Sequence, residues 1–126
     1  MRKPVVFVLG IFLGASLAVA MAQQKVQDSV IVDPDVHRVI LENEHVRVLD
    51  ARIAPGWKSA MHSHPPMVLI SLGAGRFRMK GPDGKPVVAD FNPGMVIWRD
   101  ATEHSWEMLS GSAHVVAVEV KSAAKK

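Results

Sequence analysis

From His37 onward, short runs rich in Val, Ile, Leu and aromatic residues are interrupted about every eight to twelve residues by Gly, Pro, Asn, Asp and Ser. In His45-Val46-Arg47-Val48-Leu49-Asp50, and again in Arg76-Phe77-Arg78-Met79-Lys80, polar and apolar residues largely exchange faces. A period of two is the mark of a half-buried strand. The pattern predicts eight strands, at 38–41, 45–53, 67–72, 76–80, 86–91, 95–98, 105–109 and 113–120. Turn chemistry lies between them: Ala54-Pro55-Gly56, Gly73-Ala74-Gly75, Gly81-Pro82-Asp83-Gly84, Asn92-Pro93-Gly94 and Ser110-Gly111-Ser112 tolerate tight or left-handed geometry. The expectation is an all-β sandwich or barrel, connected as an antiparallel meander and needing no helix. Residues 23–36 are polar with one short apolar patch, and read as a leader along the barrel edge.

The N terminus follows a different rule. Arg2 and Lys3 precede an uncharged run from Val5 to Val19, and Ala20-Met21-Ala22 supplies small residues at a cleavage position. This predicts a signal peptide over 1–22, cleaved after Ala22, with the mature protein periplasmic or secreted and without a stable membrane anchor. Without Arg2 and Lys3, fifteen Lys+Arg become thirteen against twelve Asp+Glu, so the high pI of the whole chain belongs mainly to the signal. Residues 122–126 form a basic tail beside the 37–121 domain, and nothing favours nucleic acid. There is no cysteine, hence no disulfide and no lipid anchor on a thiol. One core is all that this length builds, and packing must supply its stability.

Candidate chemistry concentrates on histidine. His62 and His64 are one residue apart, so on an extended strand both side chains point to one face and can converge on an ion. His104, some 40 residues later, completes a three-nitrogen site if the strands close into a barrel. The alternative is a pair of loop histidines beside Pro65-Pro66. His37, His45 and His114 lack a partner pattern and read as surface or strand residues. Met61, Met67, Met79, Met95 and Met108 read as core filler, and Arg76, Arg78 and Lys80 as solvent-facing. No Gly-x-Ser-x-Gly elbow, phosphate loop or cysteine nucleophile competes, so any catalysis would run through a metal.

These histidines also carry a resemblance. Gly56 followed after five residues by His62-Ser63-His64, with Gly75 closing, resembles the first cupin motif. Asn92-Pro93-Gly94, the run Met95-Val96-Ile97-Trp98 and His104 resemble the second, although Asp100 and Thr102 replace its usual Pro and Gly. Val68 and Leu69 stand where the family normally adds a glutamate ligand, and Met108 where it normally has Asn. The resemblance implies a single-domain cupin jelly-roll β-barrel with His62, His64 and His104 pointing inward onto one divalent transition metal (Fe, Zn, Cu, Ni or Mn). Val68, Ile70, Trp98, Trp106 and Met108 are then expected to line the pocket for a small organic molecule. Loss of the acid would leave the ion its full charge and open positions. Cupins include dioxygenases, isomerases, decarboxylases and non-enzymatic binding or sensing proteins, so both enzyme and binder stay open, with a metal-free structural role behind them. Homodimers paired through an edge strand are also common in the family.

Overall fold

The computed structural model describes residues 24–122; residues 1–23, which include the expected signal peptide, and the last four residues of the expected basic tail lie outside them. Nine strands follow one short helix: α1 (Ser29–Val32), β1 (His37–Glu42), β2 (Val46–Ile53), β3 (His62–His64), β4 (Met67–Ser71), β5 (Gly75–Lys80), β6 (Pro86–Phe91), β7 (Val96–Arg99), β8 (Thr102–Gly111) and β9 (Ala113–Val120). All eight predicted strands are present. The ninth, β3, carries the His-Ser-His triplet, and β8 starts three residues earlier than its pattern suggested, so His104 lies within a strand.

The strands form two sheets, β1-β2-β9-β4-β7 and β3-β8-β5-β6, with every pair antiparallel. The meander expectation fails here. Sequential neighbours pair only in β1–β2 and β5–β6, and the chain otherwise crosses between layers, as β8 does when it passes through Ser112 into β9. Turn residues specify a reversal of direction, not the strand that receives it, and a jelly roll closes by such crossings.

The leader also differs from its expected form. Asp28 accepts a hydrogen bond from the Val30 N–H at 3.0 Å and caps α1. Ser63 donates its N–H to the Gln27 carbonyl at 2.8 Å, which ties the segment to β3, and Val36 is buried in the core.

Alternation along β9 fixes the interior. Ala113, Val115, Ala117 and Glu119 face inward, and across the sheet their partners are Ile53, Ala51, Leu49 and Arg47 of β2. With Phe77, Phe91, Trp106 and Met108 from the second sheet, these residues build the core; the Phe77 ring lies 5.0 Å from Phe91 and 6.0 Å from Trp106, centroid to centroid. The outer faces of the two sheets contrast. The second carries ion pairs, Arg78–Glu107 at 3.1 Å and Lys58–Glu107 at 3.4 Å among them. On the first, the register sets Leu41, Val48, Val118, Val68 and Trp98 side by side across all five strands.

At the end of β8, Gly111 has φ +73°, and a Cβ there would lie 2.8 Å from the Ala74 carbonyl oxygen. Gly84, at φ +71°, meets nothing within 4 Å. Gly84→Ala is expected to cost only the left-handed backbone term, about 1–2 kcal/mol, and Gly111→Ala that term plus a clash, about 3 kcal/mol or more. Urea unfolding of both variants checks this, and equal losses would contradict the close approach.

Candidate metal centre and ligand cavity

The metal-ligand candidates are brought together by strand register. His62 and His64 point inward from β3, and β3 pairs with β8 so that His62 lies directly across from His104. The ring centroids are 5.0 Å apart for His62–His64, 4.8 Å for His62–His104 and 5.3 Å for His64–His104. A fourth ring joins them. His37, at the start of β1, lies 5.2 Å from His62 and 5.4 Å from His64, and ligating nitrogens of His37, His62 and His64 all lie within 4.8 Å of one another. His37 is therefore no surface histidine: it is buried and its Nδ1 has no hydrogen-bond partner among the described residues.

Hydrogen bonds orient these rings. His62 Nδ1 lies 2.9 Å from the Ala60 carbonyl, which can only accept, so Nδ1 carries the proton and Nε2 presents its lone pair. His64 Nδ1 donates to Glu119 Oε1 at 2.8 Å, which frees its Nε2 in the same way. His62 Nε2 and His104 Nε2 then face each other at 3.1 Å. Without an ion, His104 must donate a proton across that gap. Two nitrogens each about 2.0–2.1 Å from a tetrahedral ion stand roughly 3.3 Å apart, so the spacing suits a cation nearly as it stands.

The electrostatics favour the ligating form. Burial, followed by the charges of His64 and His62, pushes His37 down to about 4. Burial also lowers His62 to about 4, outweighing its bond to Ala60. His104 falls to about 3, through burial first and then the neighbouring histidines and Arg99. These three are neutral at pH 7, as metal binding requires. Burial alone would raise the Glu119 carboxyl, but hydrogen bonds from His64 and Arg47 overcome it and hold the group below its usual range. Arg47 bonds Glu119 Oε2 through Nε and Asp28 Oδ2 at 2.8 Å through Nη2, so the chain His64–Glu119–Arg47–Asp28 runs from the centre to the helix cap.

Beside the histidines, a cavity of about 260 Å³ opens between the two sheets. Its walls are largely apolar, with Leu69, Phe77, Met79, Phe91 and Trp106 among them, while His37, His64, His104, Lys80, Arg99, Thr102 and Glu103 supply its polar positions.

No family model matches the chain, and no curated protein matches it. Solved structures do. The chain is similar to a cupin domain from Bordetella pertussis Tohama I, with a TM-score of 0.64 and 24% identity, over 79% of this chain and 99% of that one. It is also similar to a cupin superfamily protein from Desulfitobacterium hafniense DCB-2 (TM-score 0.52, 14% identity, 68% of this chain and 75% of that one). A third is an RmlC-like cupin family protein with a double-stranded β-helix fold from Methanocaldococcus jannaschii (0.53, 16%, 68% and 78%). The chain has the cupin fold.

Within this cupin fold, the pocket forecast needs correction. Of its five residues, Trp106 lines the cavity; Val68, Ile70 and Trp98 occupy the outer face of the first sheet, and Trp98 is 55% exposed with its Nε1–H donated to Asp100. The pleat of β4 is one residue out of phase with that forecast: Met67 pairs with Glu119 and Leu69 with Ala117, so these two point inward. Met108 is buried in the core against Gly75, outside the set that lines the cavity. Val68 and Leu69 provide no acid, as read, yet an acid does reach the centre, from β9. Glu119 carries no signal in the sequence because Val116, Val118 and Val120 on one face of the strand and Val115 and Ala117 on the other make both faces look apolar.

The three depressed histidines predict how acid acts on the metal-free protein. Unfolded, each titrates near 6.5, and folded they hold out to about 4 or 3, so between those values the unfolded state binds more protons. Stability is then fully present above pH 6.5 and lost as pH falls, at up to about 4 kcal/mol per pH unit near pH 5. Urea midpoints of chelator-treated protein between pH 7.5 and 4.5 measure the slope, and a flat profile would contradict the buried, neutral cluster.

Proposed function

We propose that this cupin holds one divalent transition metal on its histidine cluster and takes a small organic molecule into the adjoining cavity, outside the cytoplasm once the N-terminal segment is removed. The observation that carries the reading is the convergence of four imidazoles, those of His37, His62 and His64 buried and that of His104 half-buried, with the His62 and His104 Nε2 atoms 3.1 Å apart and His37 Nδ1 lacking a partner among the described residues. Three neutral nitrogens without a liganding carboxylate suit zinc, copper, iron or nickel. His62, His64 and His104 would hold the ion, with His37 at the same point. When bound, such an ion polarises an oxygen of the ligand or lowers the pKa of a bound water.

The residues around it orient its ligands. Ala60 and Glu119 fix two rings, and the cavity walls beside them are largely apolar. Both Glu119 oxygens are already engaged, whereas Glu103 at the cavity makes no ion pair among the described residues and Asp33 Oδ2, 3.9 Å from His62 Nδ1, is buried without a hydrogen-bond partner, so carboxylates able to act as a base stand beside the histidines.

Elemental analysis of protein purified without chelator is expected to find near one equivalent of one metal, absent from a His62, His64, His104→Ala triple variant. Glu119→Gln should keep the stoichiometry and weaken affinity roughly 10–100-fold. A folded wild-type protein that takes up no metal, even when offered zinc, would overturn the reading.

A further inference from the structure

The register places two arginines in one inward row of the first sheet, in the order Arg47, Glu119, Met67, Arg99. Arg47 is satisfied by two carboxylates. Arg99, half-buried and lining the cavity, makes no ion pair or side-chain hydrogen bond among the described residues. A guanidinium has five N–H donors, and holding them against an apolar wall without an acceptor is unfavourable. The acids nearest in sequence do not relieve it: Asp100 accepts from Trp98 on the outer face, and Glu103, though at the same cavity, forms no ion pair. Arg99 lies close enough to His104 for its charge to act on that ring. The charged residues lining the cavity are Lys80, Arg99 and Glu103, a net positive set before any ion is added.

We propose that the cavity takes a small amphiphilic carboxylate, its anionic end held by Arg99 beside His104 and its apolar body packed against Leu69, Phe77, Met79, Phe91 and Trp106. A planar carboxylate matches the guanidinium fork. The volume, equal to that of about nine waters, limits the ligand to on the order of ten non-hydrogen atoms. The inference rests on the cavity being a ligand site, and the test separates the two ideas.

Trp57→Phe, Trp98→Phe protein leaves Trp106 as the reporter, and is titrated with hexanoate and benzoate against hexan-1-ol and benzyl alcohol, both zinc-loaded and chelator-treated. The expected result is at least ten-fold tighter binding of the carboxylates, a preference abolished by Arg99→Gln, partly kept by Arg99→Lys and untouched by Arg78→Gln on the outer face. Equal binding of acids and alcohols, or a preference that survives Arg99→Gln, would overturn the role of Arg99 while leaving the cavity as a ligand site. Binding of none of the four would overturn the cavity reading itself.

Discussion

A carboxylate cut off from water at the end of the central strand organises one end of this barrel. Glu119 is 0% exposed, and removing an ion from water costs several kcal/mol unless its partners replace the lost hydration. Arg47 and His64 do so, one on each oxygen. Arg47 then brings its own demand, met by Asp28, and Asp28 in turn caps α1 and bridges to Ser63 of β3. A segment that looks like a loose leader is thus bound to the histidine centre by charge, because leaving any one member unpaired would strand another inside.

The same network decides how the rings present themselves. An imidazole offers its lone pair in a fixed direction only when its other nitrogen is held, and Glu119 and the Ala60 carbonyl hold His64 and His62. The opposite end of the interior is apolar, where Phe77 packs edge to face with Trp106 and tilted against Phe91. The cavity spans the boundary between these two environments, with histidines on one side and hydrocarbon on the other.

Strand existence was legible because turn residues punctuate the chain, and the His62–His64 pair was legible because a spacing of two has one meaning on a strand. Facing was legible only where the alternation is polar against apolar. Met67-Val68-Leu69-Ile70 is continuously apolar, so periodicity could not say which half faces inward, and the sheet proves apolar on both sides. His37 was lost for a related reason: Val39-Ile40-Leu41 breaks alternation, and the register of β1 against β2 shifts between Val39 and Leu41, a bulge that changes which residues share a face. Glu119 needed the pairing of β9 with β2 and β4, a contact between distant parts of the chain that no local pattern encodes.

The absence of an acid at Val68 and Leu69 and the presence of one at Glu119 belong together. A carboxylate that ligated an ion would neutralise part of its charge, whereas one that supports a ligating imidazole from behind leaves that charge facing the cavity. Arg99 adds another positive group at the same opening, with no carboxylate partner among the described residues. The acid Glu119 stands behind the histidines, on β9, and Arg99 in front of them, on β7, with Lys80 and Glu103 completing a charged lining that is net positive. A cavity wall built in that order repels cations and leaves neutral molecules with little to gain beyond the hydrophobic effect. Its selectivity therefore runs toward a ligand that carries negative charge at one end and hydrocarbon at the other.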